Sequence, residues 1–428
     1  METVVVVDVV IVGGGAAGLA ALRALGRRAV VVEARSSLGG RVRGFEGERD
    51  HDAGAAWVHG NCNESVVIKE LQNVKLRDVA TSNPWCDGSE VAKTANVLSQ
   101  GRVVPITELD GDARRWRETL RALNSNDVSL GDRQGRHARL LELWMGASCR
   151  ELQVAEFVGG SDRYGDHPGA HALVCGGMAQ NLKLLRQSHD GVFLDSVVEK
   201  ISYSEEKVSV SVLRNGKERI RLEARCCLLT LPLGVLKKHH LALFSPPLPD
   251  RKKRAIERLG VGSYKKIFLF YTEPWWRLSF KEKKPFLYLE KNDTDFLAFL
   301  DHDAVFQDSN FLLEATIAGD RAALFDSSAD DEALTYVESM LRANFETIDK
   351  PTKTLVTNWN TDPFALGAYS FWKVGATDTD VDDLADPINN LFWAGEATSV
   401  DFQGSLTGAL ESGLRAARQV SDYLLVAS

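Results

Sequence analysis

The chemistry-bearing residues nearest the amino terminus are three glycines and an acid, spaced as in a dinucleotide-binding turn. An apolar run ends at Val12, the segment GGGAAG occupies residues 13–18, and an alanine- and leucine-rich stretch follows. A second apolar run over residues 29–32 ends at Glu33. This order predicts a strand, a helix and a second parallel strand that carry the full G-x-G-x-x-G pattern.

Each of these residues has its own part in holding a pyrophosphate. Gly13 permits the tight turn, Gly15 lets the backbone approach the phosphates, and Gly18 lets the helix pack on the strand. We expect the phosphates against the amides of the helix amino terminus, including that of Ala17, where the helix dipole is positive. Glu33 can accept hydrogen bonds from the adenosine ribose, which argues against NADP and its ribose phosphate.

A second glycine-rich segment bears on which dinucleotide binds. Arg35 follows the acid, and the segment LGGR occupies residues 38–41, which places Gly40 beside Arg41. An NAD site does not require this loop, whereas a longer dinucleotide lying over the sheet gains backbone amides and a cation near its phosphates. The alternative is a surface turn with two solvated arginines, and this segment alone does not decide between the two.

The composition is that of a globular chain with more than one domain. The chain has 428 residues, which is too many for one compact core, so more than one domain is expected. Its residues are 44% hydrophobic and 26% charged, as in ordinary globular proteins. No apolar run reaches the length of about 18 residues that predicts a membrane span. The net charge of −8 disfavours nucleic acid as a partner.

The first strand begins too early for a signal peptide, so we expect a cytoplasmic protein. The six cysteines lack metal-site spacing and are expected to be free thiols, and no metal is expected.

Two adjacent lysines in the middle of the chain are candidates for chemistry. Residues 264–270 alternate like a strand, so Lys265 and Lys266 point to opposite faces. We expect one lysine in solvent and the other in the interior, where an ammonium needs a partner or a function. The alternative for the interior lysine is a stem that is buried and a head that reaches water.

Aromatic and small residues mark further segments that suit a large flat ligand. Residues 52–64 combine glycines with Trp57 and His59, and residues 358–371 concentrate aromatic side chains around turn residues. Later, a short strand runs into Glu396, and a glycine-flanked helix begins soon after it. Both ends of the chain are therefore expected to meet around one ligand.

Periodicity locates several elements between these segments. The apolar spacing predicts helices over residues 113–123 and 136–145 and strands over residues 197–201 and 208–212. The Asn-Gly pair at residues 215–216 predicts a hairpin turn.

The two ends of the chain resemble one enzyme family. Residues 55–64 (AAWVHGNCNE), 390–398 (NLFWAGEAT) and 404–409 (GSLTGA) are similar to segments of the flavin-containing amine oxidases, most closely their plant-type polyamine oxidase branch. Monoamine oxidases and lysine-specific histone demethylases are other branches of this family. The resemblance covers nearly the whole chain and is weakest over residues 66–168.

The resemblance implies an α/β fold with two interleaved domains. A Rossmann-like FAD-binding domain of the amine oxidase type is expected over residues 1–65, 170–260 and 385–428. An α+β substrate-binding domain is expected over residues 66–169 and 261–384.

The resemblance also implies a non-covalent FAD. No cysteine lies between Gly395 and Gly408, where monoamine oxidases attach the flavin. The residues expected to bind FAD are Gly13, Gly15, Ala17, Gly18, Glu33, Arg35, Gly40, Arg41, Ala55, Trp57, Val198, Trp359, Glu396, Thr398, Ser405 and Leu406.

Three residues match catalytic positions of the family. Lys266 matches the lysine that holds a water beside the flavin, Tyr369 an aromatic residue next to the flavin face, and His59 an active-site histidine of the polyamine branch. Lys265 falls where the family commonly has asparagine and is therefore less favoured. The residues expected to contact the substrate are Trp57, His59, Tyr369, Phe371 and Ser405.

The implied reaction is the oxidation of a small polyamine, such as spermine, spermidine or an acetylated form, with dioxygen as the second substrate. Hydride passes from the carbon beside the amine nitrogen to the flavin, and hydrogen peroxide, an aldehyde and an amine are formed. Thr407 and the pair at residues 65–66 depart from the family pattern, and these departures concern the identity of the substrate. Two alternatives remain: another FAD-dependent amine or L-amino-acid oxidase, and a catalytically silent FAD-binding scaffold.

Overall fold

The computed structural model describes residues 3–45, 48–71, 73–81, 88–122, 135–153, 169–292 and 294–426. The strands are β1 Thr3–Val12, β2 Ala29–Val32, β3 Gly44–Phe45, β4 Glu48–Asp52, β5 Trp57–Val58, β6 Leu76–Ala80, β7 Ala95–Ser99, β8 Arg102–Val103, β9 His171–Val174, β10 Val192–Phe193, β11 Ser196–Tyr203, β12 Val208–Arg214, β13 Glu218–Leu229, β14 Phe244–Ser245, β15 Gly260–Val261, β16 Tyr264–Phe270, β17 Phe286–Glu290, β18 Phe296–Asp301, β19 Leu312–Ala318, β20 Lys353–Val356, β21 Ser370–Phe371 and β22 Leu391–Trp393.

Fourteen α-helices connect these strands within the described residues. They are α1 Ala16–Leu25, α2 Val66–Glu70, α3 Gly88–Thr94, α4 Ile106–Ala122, α5 Arg136–Met145, α6 Met178–Asn181, α7 Lys183–Arg186, α8 Leu233–Leu243, α9 Asp250–Arg258, α10 His302–Phe306, α11 Gly319–Asp326, α12 Asp330–Asn344, α13 Asp378–Ala385 and α14 Leu406–Val426. Short 3-10 helices cover Gly26–Arg28, Trp275–Ser279 and Glu396–Thr398.

The first large sheet carries the glycine-rich turn. Its strands follow the order β10-β2-β1-β13-β12-β11-β14, with β22 paired to β13. β1 is parallel to both β2 and β13 and is buried from Val9 to Val12, because helices or other strands cover both of its faces. α14 crosses α1 so closely that a Cβ on Gly413 would lie 2.3 Å from the carbonyl oxygen of Ala17.

The second large sheet carries the two adjacent lysines. Its order is β20-β16-β19-β18-β17-β7-β8, and its strand pairs are antiparallel except β17 with β7. A third sheet joins β5, β9 and β6 and holds Trp57 opposite Leu173. The strands of the two large sheets alternate along the chain, so the polypeptide passes between them repeatedly.

The predicted α/β class with a Rossmann-like unit is confirmed by this topology. The helix predicted over residues 136–145 has these bounds, and the helix predicted over residues 113–123 lies within α4 up to Ala122. The Asn-Gly turn joins β12 to β13, with Asn215 at a φ of +51°. The division into two domains stays a prediction.

Part of the segment assigned to the substrate domain, including residues 123–134 and 154–168, lies outside the described residues. Five cysteines are free thiols, as predicted, and Cys86 lies outside the described residues. Among the helices that the structure describes, none is long and apolar enough to cross a bilayer.

Candidate active site

One cavity of about 530 Å³ is lined by residues of both large sheets. Its walls include the glycine-rich turn after β1, the end of β2 and the lysine-bearing strand β16. The predicted FAD-binding residues that line it are Gly13, Gly15, Ala17, Glu33, Arg35, Gly40, Arg41, Ala55, Trp57, Val198, Trp359, Glu396, Ser405 and Leu406. The predicted catalytic residues Lys266, Tyr369 and His59 line the same cavity.

The glycines of the first turn are required by contacts within it. Gly13 has a φ of +108°, and a Cβ there would lie 2.6 Å from the hydroxyl oxygen of Thr230. A Cβ on Gly18 would lie 2.0 Å from the carbonyl oxygen of Gly13, so α1 could not pack on β1. A Cβ on Gly15 would have its nearest neighbour at 3.9 Å, which leaves the backbone there open to a ligand.

The second glycine-rich segment packs directly on the first. The amide of Gly39 donates to the carbonyl oxygen of Gly14 at 2.9 Å. Gly40 has a φ of +59°, and its Cβ would lie 3.3 Å from the Cα of Gly15. The two loops therefore present their backbones to one region of the cavity. The solvated-turn alternative does not hold for Arg41, because its guanidinium pairs with Glu396 at 2.9 Å.

Glu33 and Arg35 are fixed by contacts with the backbone and with the last third of the chain. The Glu33 carboxylate accepts hydrogen bonds from the amides of Gly14 at 2.6 Å and Arg35 at 2.9 Å. The Arg35 guanidinium pairs with Asp362 at 2.7 Å and lies over the ring of Phe364. Glu33 is thus oriented at the end of β2 before any ligand arrives.

Glu396 joins the two ends of the chain. It accepts a hydrogen bond from Arg41 Nη1 at 2.9 Å and further ones from Ser370 and from the amide of Gly404. Arg41 also donates to the carbonyl oxygen of Ala368 at 2.7 Å. This buried carboxylate therefore locks the loop before α14 to the second glycine-rich segment.

Lys266 presents a buried ammonium to the cavity. Its Nζ lies 3.1 Å from Glu314 Oε1 and donates to the carbonyl oxygen of Asp52 at 3.0 Å. Burial alone would raise the pKa of Glu314, but the Lys266 ammonium and His302 lower it to about 2. Burial raises the pKa of the Asp52 carboxyl to about 6 against the opposing effects of the Met178 amide and Lys266.

The prediction that one of the two lysines is solvated is wrong. Lys265 does point to the opposite face of β16, but it is fully buried. Its Nζ pairs with Asp326 at 2.8 Å and donates to the carbonyl oxygen of Thr357 at 2.8 Å. Helix α11 covers the outer face of the sheet and supplies this carboxylate, so the burial of the second charge is compensated by an ion pair.

Tyr369 is held by the end of helix α5. Its hydroxyl donates to the carbonyl oxygen of Trp144 at 3.0 Å, and a Cβ on Gly146 would lie 3.1 Å from its ring. Burial raises the pKa of Tyr369 well above its ordinary value, so the phenol stays protonated as a donor. The ring of Tyr264 packs against it, with 5.9 Å between the ring centroids.

His59 forms part of a cluster of rings at the cavity wall. Its Nδ1 lies 2.9 Å from the Nδ1 of His171, so one ring donates to the other. Trp57 stacks on His59 with an interplanar angle of 14°, and Trp144 contacts it edge-on. Burial lowers the pKa of His171, against the opposing effect of Glu90.

Three predicted site residues do not line the cavity. Gly18 acts through helix packing, and the Thr398 hydroxyl donates to the carbonyl oxygen of Gly395 at 2.8 Å. Phe371 was expected to contact substrate, but its buried ring packs against Gly260. The reason is that successive side chains of a strand point to opposite sides, and in β21 the side chain of Phe371 points to the side that packs against β15 and the core.

The residue patterns did not single out Glu314, His302, His171 or Trp144. Glu314 is a lone acid in the apolar strand β19, and such a charge within a buried run is a signal for a buried partner. His171 and Trp144 acquire their positions from strand pairing and helix packing between segments far apart in the chain, whereas His302 contacts Glu314 at a separation of 12 positions.

Comparison with known proteins is consistent with this geometry. A family described as flavin containing amine oxidoreductase matches residues 102–421, and a NAD(P)-binding Rossmann-like domain matches residues 11–71. Polyamine oxidase 5 of Oryza sativa subsp. japonica is 30% identical over 97% of this chain and 88% of its own length. Lysine-specific histone demethylase 1 homolog 2 of the same plant is 31% identical over 96% of this chain and 57% of its own length. A solved structure of putrescine oxidase bound to putrescine has a TM-score of 0.72 at 18% identity, covering 98% of this chain and 100% of that one.

The chain belongs to the flavin-containing amine oxidase family. The likeness to putrescine oxidase shows that the two proteins share a fold. Both polyamine oxidases and histone demethylases occur among the similar proteins, so membership of the family defines the class of reaction and leaves the amine open.

Proposed function

We propose that this protein is an FAD-dependent oxidase of polyamines, which uses dioxygen and releases hydrogen peroxide. The observation that carries the proposal is that one cavity is lined both by the dinucleotide turn and by Lys266, Tyr369 and His59. A scaffold that only binds FAD has no need of a charged lysine and a ring cluster on the same cavity.

The residues present fit FAD. Gly15 leaves room for a phosphate group, and the first amides of α1 have no partner within the helix, so they are available to an anion. Glu33 has a fixed carboxylate that is available to the ribose, and Val198 lines the same cavity and is available to the adenine. We propose that FAD is held non-covalently and that the FAD-binding domain consists of residues 1–65, 170–260 and 385–428.

When bound, FAD supplies the two-electron oxidation of the amine and the return of those electrons to dioxygen. The chain's part is to bind the amine in its neutral form. Trp57, Tyr369 and Trp144 form an aromatic wall that carries no charge, and a desolvated ammonium loses its proton more readily. In this proposal His59 hydrogen-bonds the amine nitrogen, and Lys266 provides a cation in the same cavity.

The visible spectrum of the purified protein tests this function. The protein is held without oxygen, and spermine, spermidine, their acetylated forms and putrescine are added in turn. We expect a yellow protein that bleaches with a polyamine and regains its colour when air is admitted.

Two outcomes would contradict the proposal. Bleaching only by an L-amino acid or by a methylated-lysine peptide would move the function to another member of the family. A protein that binds FAD and bleaches with none of these substrates would favour the scaffold.

A further inference from the structure

The ammonium of Lys266 is held by a carboxylate from the neighbouring strand. In the pairing of β16 with β19, Lys266 lies opposite Thr316 and Phe268 lies opposite Glu314. Glu314 is therefore the diagonal neighbour of Lys266 on the same face of the sheet. The two charged groups lie 3.1 Å apart, and both side chains are less than one-tenth exposed.

A second contact fixes this carboxylate from behind. Glu314 Oε2 lies 3.0 Å from Nε2 of His302, the first residue of helix α10. Each oxygen of Glu314 thus has its own partner, and the carboxylate cannot turn away from Lys266 without losing one of them. On the other side, the carbonyl oxygen of Asp52 accepts a hydrogen bond from Lys266 at 3.0 Å.

The electrostatics decide what Glu314 does for Lys266. Although burial raises the pKa of Glu314, Lys266 and His302 lower it to about 2. A carboxyl with so low a pKa takes up no proton near neutral pH, so it is unsuited to pass protons and suited to be a permanent anion.

We infer that Glu314, fixed by His302, is the positioning residue and counter-ion that keeps Lys266 a cation at the cavity wall. The inference rests on the proposed function, in which FAD binds in the cavity that Lys266 lines. A fixed positive charge there favours the step in which dioxygen accepts electrons, because negative charge develops on the oxygen. Without an anion, a buried lysine loses its proton more readily and the charge disappears.

The adjacent ion pair provides a matched control. Lys265 and Asp326 form a buried pair at 2.8 Å on the other face of the same strand, and neither residue lines the cavity. Asp326→Asn therefore removes the buried counter-ion of the neighbouring lysine on the same strand, and Asp326, the last residue of helix α11, does not line the cavity.

The groups around Lys266 define the pH range of the test. Glu314, Asp52 and Tyr264 face it, and His302 contacts it through Glu314. Asp52 has a pKa raised to about 6, chiefly by burial, and burial raises that of Tyr264 above its ordinary value. Measurements from about pH 7 to about pH 9.5 avoid the titration of Asp52.

The experiment follows the reaction of the reduced protein with dioxygen. The flavin of the FAD-loaded protein is reduced by light, so no amine is needed, and reoxidation is timed in a stopped-flow instrument. We expect wild type and Asp326→Asn to reoxidise at the same rate across the range. We expect Glu314→Gln to be about tenfold slower, with the loss growing as the pH rises, because Lys266 gives up its proton.

A second readout does not depend on the flavin reaction. The urea concentration at which half of the protein is unfolded (the urea midpoint) is measured for the full chain of wild type, Lys266→Met, Glu314→Gln and the double variant. Each single change is expected to lower the midpoint, because it leaves one buried charge unpaired, and the double change is expected to lower it by less than the sum.

The inference is overturned if Glu314→Gln reoxidises like wild type, or if the two midpoint losses add. Should Glu314→Gln fail to fold, Glu314→Asp replaces it, because the shorter side chain keeps the negative charge but moves it away from Lys266. A pH profile like that of wild type in this variant also overturns the inference. Because reduction by light bypasses the substrate, a protein that oxidises no polyamine still gives a clear result for Lys266.

Discussion

Lys266 and His59 illustrate what can be predicted for single residues. Alternation along β16 predicts that Lys265 and Lys266 face opposite sides, but it carries no information on what covers each side. The resemblance to amine oxidases favours Lys266, which does line the cavity. Glu314 contacts Lys266 from a strand more than 40 positions later in the chain, and His171 contacts His59 from a strand more than 100 positions later. Local sequence patterns do not reveal contacts at such separations.

His171 is predicted to set the activity of His59 through their shared hydrogen bond. The two Nδ1 atoms lie 2.9 Å apart, so only one proton fits between them. His171→Phe removes this bond, and we expect kcat/KM for the preferred polyamine to fall about tenfold, since a lost buried hydrogen bond costs about 1–3 kcal/mol. Oxygen consumption at several substrate concentrations measures the loss.

His171→Gln is the matched control for that prediction, because an amide can still donate or accept towards His59. We expect it to retain most of the activity. Wild-type activity in His171→Phe, which keeps an aromatic ring but no hydrogen bond, would mean that His171 serves only to fill space beside Trp144.

Secondary-structure elements are predicted well where one physical cause dominates. The helix Arg136–Met145 follows from its apolar period, and the turn at residues 215–216 follows from the need for a positive φ. The prediction that Phe371 contacts the substrate is a different case, because Phe371 does not line the cavity. β21 has only two residues, too few for alternation to indicate which side faces the ligand.

Helix α9 contributes a buried lysine that makes stability depend on pH. Lys252 Nζ donates to the carbonyl oxygens of Leu384 at 2.9 Å and Asp386 at 2.6 Å, at the carboxyl end of helix α13. Burial lowers the pKa of Lys252 from 10.5 to about 7, although Asp386 opposes the shift. Between these values the unfolded chain binds a proton that the folded chain has lost, so stability rises with pH.

Lys252→Met keeps the apolar stem and removes this titration. The stability of wild type relative to Lys252→Met is therefore expected to increase from about pH 7.5 to about pH 9.5, by roughly 2 kcal/mol. Urea unfolding at the two pH values measures it. Lys253→Met, which removes a half-exposed lysine paired with Asp250 on the same helix, is the control. A difference that stays constant with pH would show that Lys252 keeps its proton in the folded state.

At the scale of the whole molecule, the site depends on both ends of the chain. The glycine turns lie within the first tenth of the sequence, and Glu396 and α14 lie within the last tenth. Motifs predicted this meeting, because a single dinucleotide must contact both of them. The motifs did not predict the ion pair between Arg41 and Glu396, whose charged atoms lie 2.9 Å apart and which connects the two ends of the chain. This pair depends on how the side chains pack.

A ligand that spans the cavity is therefore expected to stabilise the protein more than one that fills only the glycine-turn end. FAD extends beyond ADP, which carries the adenosine and pyrophosphate alone. At equal concentrations we expect FAD to raise the melting temperature of FAD-free protein more than ADP does, because tighter binding to the folded state stabilises it further; a ligand at about 100 times its Kd contributes about 2.7 kcal/mol. Glu396→Gln weakens the contacts with Ser370 and Gly404 at the far end and also the pair with Arg41, so it should reduce the shift with FAD more than the shift with ADP. Equal shifts for the two ligands in wild type would mean that the last third of the chain adds nothing to cofactor binding.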